Sequence, residues 1–229
     1  MTNESSEVME NVEDEHDNEG LYTIDQFIEK MQQRHEGDSL CHLISNLDQV
    51  CELLSIHLAR KIEAAQKEGS NTVKFMNFWK VSWRLNRNKE WTFRASFAAS
   101  TTARGLTSRF IENGEKVDDV MIQHFFNIIA KPPTFMELVD ELTSIVYESN
   151  KKNAFFSDDL TIGKNISYLL NVLFKGILVV CYEDGATVTL PRIGAFLRTF
   201  RSERKKEFAS KQTSGGMLQF EVEKQNVFF

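Results

Sequence analysis

Apolar residues recur at helical spacing in two short and two long stretches of this 229-residue chain. After Thr23 they fall at Ile24, Phe27, Ile28 and Met31, and after Thr134 at Phe135, Leu138, Val139 and Leu142. Both sets have the i, i+3, i+4, i+7 order that lines one face of a helix. Three residues beyond each Thr stands Gln26 or Glu137, so each start reads as a capping box. The longer stripes are Leu47, Cys51, Leu54, Leu58, Ile62, Ala65 and then Ile162, Ile166, Leu169, Leu173, Ile177, Val180. A turn glycine follows each, Gly69 or Gly185, and then a strand start, Thr72-Val73 or Thr187-Val188.

Beyond each long stripe the period changes. Val73 to Trp83 is rich in β-branched and aromatic residues, Arg84 to Glu90 is a polar turn, and Trp91 to Phe97 resumes as a strand. Val188 to Phe200 repeats the pattern with breaks at Pro191 and Gly194, and Met217 to Phe229 alternates again. Between the two sets, 115–130 reads as a further helix ended by Pro132-Pro133. The expected class is α+β: two tandem units, each two helices followed by an antiparallel hairpin sheet. A constant offset between the short helices, and a slightly larger one between the long helices, argues for duplication with extra loop residues near 151–159. The expected divisions are an acidic tail at 1–20, a first unit at 21–130 and a second at 131–229.

Charge adds one feature. Residues 1–20 hold eight acids and no Lys or Arg, within a chain of formal charge −6. With those eight set aside, 25 acids remain against 27 Lys and Arg. Such a leader suits a solvated tail, or a segment that covers a basic partner or a basic face of its own body. It has neither the apolar stretch nor the cations of a targeting peptide. No apolar run is expected to reach the roughly 18–20 residues of a membrane span. Three cysteines without CxxC spacing fit a reducing compartment.

Two helices, a Gly turn, a strand and an Ile-Gly-x-Phe bend resemble the bacterial HU/IHF-like fold. The likeness is clearest at Asp184-Gly185, Val188-Thr-Leu190 and Arg192-Ile193-Gly194-Ala195-Phe196, and it is weaker over Thr23–Phe97. It implies interlocking paired domains, which a tandem repeat supplies within one chain. It also implies architectural DNA binding, yet the family's DNA-kinking arm carries a Pro at its tip. The stretch from Lys205 to Gly216 has none, and Trp79 replaces the bend Gly in the first unit. The chain is more similar to the tandem HU-like domains of eukaryotic coiled-coil-domain-containing centrosomal and ciliary proteins. That likeness implies a structural module of a cytoskeletal assembly, with tubulin or other axonemal proteins as partners and no membrane role. It places the chain in the cytoplasm at cytoskeleton or cilium; the DNA alternative places it in nucleus or nucleoid.

The candidate binding residues are cations: Lys80, Arg84, Arg87, Lys89 and Arg94 on or beside the first hairpin, and Arg201, Arg204, Lys205 and Lys206 after the equivalent strand of the second unit. Clustered cations bind an anionic polymer by releasing its counterions, whether nucleic acid or an acidic protein surface. No nucleotide-binding, metalloprotease or nucleophile-elbow motif occurs, so no enzyme, cofactor or metal site is expected. Cys41-His42 points two ways on a helix, Cys51 falls on a core stripe, and His57 reads as a flank residue. His124 reads as structural, Asp158-Asp159 as a helix cap, and Trp79, Trp83 and Trp91 as core or interface.

Overall fold

The computed structural model describes residues 20–75, 79–85, 91–97, 118–149, 161–200 and 216–222. It is a mixed helix and strand structure, α+β in class. The elements are β1 (Leu21–Tyr22), α1 (Ile24–Arg34), a 3-10 turn (Cys41–Asn46), α2 (Leu47–Lys67), β2 (Thr72–Phe75), β3 (Trp79–Leu85) and β4 (Trp91–Phe97). There follow α3 (Asp119–Ile129), α4 (Thr134–Glu148), α5 (Ile162–Leu178), a π-helical end (Val179–Glu183), β5 (Thr187–Leu190), β6 (Gly194–Phe200) and β7 (Gly216–Val222). Two runs, α1-α2-β2-β3-β4 and α4-α5-β5-β6-β7, each place two helices before antiparallel strands, with β1 ahead of the first run and α3 between them. The expected boundary at residue 130 falls between α3 and α4.

Local chemistry accounts for most of the ends. At α1 the capping box closes both ways: the Gln26 amide donates to Thr23 Oγ1 at 3.4 Å and the Thr23 amide donates to Gln26 Oε1 at 2.9 Å. Thr134 behaves differently. It is the first helical residue of α4, behind Pro133, whose backbone is already helical at φ −81° and ψ −16°. A capping side chain needs an extended backbone at its own residue, so the expected second box does not form. α2 ends in a Schellman motif: the Ser70 amide reaches the Ala65 carbonyl at 2.8 Å and the Gly69 amide reaches Gln66 at 3.0 Å. Gly69 sits at φ +75°, a left-handed turn that a Cβ would strain.

Both long stripes are buried as their spacing predicts. Ile166, Leu169, Leu173 and Ile177 of α5 share one core with Val188, Leu190 and Phe196, and Cys51, Leu54, Leu58 and Ile62 of α2 lie in it with Val73. Residues of both halves thus form a single continuous core. The continuous helix Ile162–Glu183 is long and apolar enough to cross a membrane, contrary to expectation. The most apolar part of it is 72% buried, packed among α1, α2, α3 and α4.

Two sheets flank the helices, in order β1-β5-β6-β7 and β2-β3-β4. β1 pairs in parallel with β5, Leu21 opposite Thr187 and Tyr22 opposite Val188, so the N-terminal half completes the sheet of the other half. The last strands of the two sheets, β4 and β7, lie against each other. β3 runs through Arg84 and Leu85, which the sequence assigns to the turn; Arg84 is exposed and in register with Thr92, so its polarity marks a face and not an end. The turn joining β5 to β6 holds Arg192 at φ +62°, and its guanidinium meets Glu52 of α2 at 2.7 Å.

Candidate binding surface

The ladder of the first sheet separates two chemistries. Register places Val73, Val81 and Ala95 in one row, with Trp83 and Phe93 in another row of the same side. Val73, Val81 and Trp83 are buried, which fixes this side as the inner one. Alternate residues of a strand lie on opposite faces, so the outer rows are Lys74–Lys80–Ser96, Thr72–Ser82–Arg94 and Arg84–Thr92. Lys74 and Arg84 are exposed, and Thr72 and Ser82 are half-buried. None of the three strands contains an acid.

This face carries an electrostatic cost. Lys74 stands directly opposite Lys80 in the antiparallel ladder, and like charges so placed destabilise a sheet. Neighbouring strands are about 4.8 Å apart and side chains on one face repeat about every 6.8 Å along a strand. Lys80, Arg94 and Arg84 thus occupy successive rows. An anionic polymer laid across the rows would turn that repulsion into attraction.

Elsewhere most described cations already have partners. Lys30 meets Asp184 at 2.9 Å, and Arg34 pairs with Asp119 and with Glu183 at 3.3 Å. Arg60 meets Glu148 at 2.8 Å, Lys61 meets Glu141 at 3.0 Å and Lys67 meets Glu63 at 2.7 Å. The strands β2–β4 hold Lys74, Lys80, Arg84 and Arg94 and no acid of their own.

Of the residues expected from sequence, Lys80 and Arg84 fall on β3 and Arg94 on β4, at alternate positions of the ladder. Arg87, Lys89, Arg201, Arg204, Lys205 and Lys206 lie outside the described residues, as do Asp158 and Asp159. Lys74 was missed. Its signal is the alternation Thr72, Lys74 on a strand whose other side holds Val73, legible only once β2 is paired with β3.

His57 needs correction. It is 6% exposed, a buried residue of α2, and not the flank position its neighbours suggest. Its Nδ1 lies 2.7 Å from Glu141 of α4. Burial pushes the imidazole down to about 4, helped by Lys61 and Arg60 and opposed by Glu141. The neutral ring donates from Nδ1 to the carboxylate, so His57 joins the two halves as a hydrogen-bond donor. Because the folded-state value is depressed, its stability contribution is intact above about pH 6.5 and is lost as pH falls toward 4. Over that window the loss is on the order of 3 kcal/mol. Denaturant titrations from pH 7 to pH 4 should show it, and His57→Gln, which keeps a donor but cannot charge, should flatten the slope. An equal slope in both proteins would show that other groups carry the acid sensitivity.

Other candidates serve structure. Cys51 is fully buried, and burial raises its thiol far above the reactive range. His35 Nδ1 lies 2.8 Å from Asp38, to which Tyr168 of α5 donates at 3.3 Å. This pins the turn after α1 to α5; the hydrogen bond from His35 lowers the Asp38 carboxyl, and burial followed by Asp38 raises the Tyr168 hydroxyl to about 12. His124 is exposed beside Phe125. Among the described residues no group of three His, Cys, Asp or Glu is placed to hold a metal ion. Comparison of the chain with protein-family models, with curated proteins and with solved structures finds no match.

Proposed function

We propose that the chain is a non-enzymatic binding module of a cytoskeletal assembly, ciliary or centrosomal, built from two HU-like units in tandem. Its ligand is an acidic protein surface, such as that of tubulin or another axonemal protein, and the docking face is the outer side of β2–β4. The observation that carries this reading is the register of strands β2–β4, which hold no acid and set Lys74 opposite Lys80. The shared order of helix, helix and three strands in the two halves supports the tandem unit. The excess of acids in the whole chain, and the lack of Pro between Lys205 and Gly216, favour a protein ligand over DNA.

Co-sedimentation with polymerised tubulin at low salt tests it. Lys74→Glu combined with Arg84→Glu should weaken binding by roughly tenfold through lost charge complementarity. The unfolding midpoint should barely move, because exposed charges contribute little to folding. Unchanged binding by the double variant would remove the face from the account. The element order also favours a second reading, an architectural DNA-binding protein. In that case duplex DNA binds with a steep salt slope, and the variant flattens it by about 0.9 per lost phosphate contact. A steep DNA slope without tubulin binding would transfer the assignment.

A further inference from the structure

We infer that the outer edge of β1 and the cleft beside it take up an extended, positively charged peptide segment of a partner protein by strand addition. This site belongs to the other sheet from β2–β4 and does not depend on the function proposed above. β1 ends the order β1-β5-β6-β7, so its second side has no strand partner among the described residues. The Gly20 carbonyl accepts from the Thr187 amide at 3.0 Å, and Leu21 and Tyr22 lie opposite Thr187 and Val188. Backbone groups of alternate residues in a parallel ladder turn to opposite edges. With Gly20 and Tyr22 bonded inward, the Leu21 N–H and C=O point outward. Such an edge is a ready template for another chain. Leu21 is also 61% exposed, and β1 carries neither the charge nor the Pro that guards many edges.

The cleft wall selects the charge of the segment. One face of α1, Gln26, Glu29, Lys30 and Gln33, forms that wall, and Gly20 with β1 forms the other side of a volume of about 450 Å³. Ligand clefts span roughly 300–1,000 Å³, so a few residues of an extended chain fit. Lys30 is already committed: its ammonium meets Asp184 at 2.9 Å and lies 5.7 Å from the centre of the Tyr22 ring. Glu29 is exposed and accepts a long hydrogen bond, 3.5 Å, from the neutral Gln33 amide. Asp25, one turn earlier, is exposed as well. Among the described residues neither carboxylate has an ion pair. The wall therefore holds uncompensated negative charge, which an Arg or Lys on the added strand complements. Leu21 supplies main-chain pairing for a single residue, so strand bonds, that charge and the exposed Leu21 side chain act together. A second copy of this chain matches less well, because β1 has no cation to offer Glu29.

Fluorescence anisotropy of the full chain with a labelled Ser-Val-Arg-Ile-Thr peptide tests this. Saturable binding is expected, and its absence overturns the proposal. N-methylating one peptide amide at a time should weaken binding by roughly tenfold at the position that bonds to Leu21 and little at its neighbours. Small, uniform losses would reduce the contact to charge attraction and overturn strand addition. Exchanging the peptide's Arg for Glu should abolish binding, and Glu29→Gln should weaken it by about two- to fivefold; if neither change matters, the cleft is not the site. Amide exchange in the ¹⁵N-labelled full chain locates the pairing. The peptide should slow exchange at Leu21, while Tyr22 is protected with or without it. Protection of Leu21 already present in the free monomer would show that the chain's own residues hold the edge. Protection that appears only with a concentration-dependent dimer would assign the edge to a second copy. Either result overturns the proposal.

Discussion

Leu173→Ala is expected to cost about 2–5 kcal/mol of stability, read as a lowered denaturation midpoint at unchanged slope. Leu173 is fully buried on α5, the helix that touches α1, α2, α3 and α4. Neighbours on all sides hold one another in place, so the vacated space cannot close by moving one element. The site gains nothing from side-chain polarity, and transfer and cavity terms act in the same direction. Leu173→Met, which nearly conserves volume, should cost less than about 1.5 kcal/mol. A loss below about 1 kcal/mol for the Ala variant would mean that α5 is not the centre of the core.

Gly176→Val should be comparably damaging for the opposite reason. A Cβ built at Gly176 would lie 2.5 Å from Met31 Sδ and 2.5 Å from Phe27 Cζ. Both side chains end there and are flexible in principle, but Phe27 is 0% and Met31 1% exposed, so neither can swing away. Helix propensity alone would favour replacing Gly by about 0.5–1 kcal/mol. Overpacking costs about 1–3 kcal/mol and occasionally more, and it outweighs that gain. The contact lies between α1 and α5, so the damage is to the join between halves. A mutant cycle with the pair Phe27→Ala and Met31→Ala checks this: the Val should be markedly less harmful once both side chains are gone. Additive effects would place the strain elsewhere.

Period was the legible part of the fold. The stripes at Leu47–Ala65 and Ile162–Val180 fix which face of α2 and α5 is buried, because a 3.6-residue repeat leaves few alternatives. β1 was not legible, since two residues show no period and its partner is remote in sequence. His57 was hidden because it is titratable and sits between Ile56 and Leu58; only the approach of Glu141 from another helix makes its burial tolerable. Of the site, the cationic content of the hairpin was evident but the pairing of Lys74 with Lys80 was not. That pairing depends on register, which the hydrophobic pattern of a single strand does not set. The start at Thr134 misled because the capping motif was present while the preceding Pro133 had already committed the backbone to helix.

The parallel pairing of β1 with β5 bears on how the chain is made. During synthesis residue 21 emerges long before residue 187, its ladder partner. Until then the N-terminal portion has no strand to join and the hydrophobic side of α1 has no α5 to rest on. Closing so long a loop is entropically slow, so this part of native assembly has to wait until β5 has emerged. A truncation before β5 removes the partner of β1, and translation arrest anywhere upstream leaves a nascent product exposed to chaperones and proteases. The order of elements suggests interchangeable modules, but the pairing of β1 with β5 ties the folding of the N-terminal part to the C-terminal one.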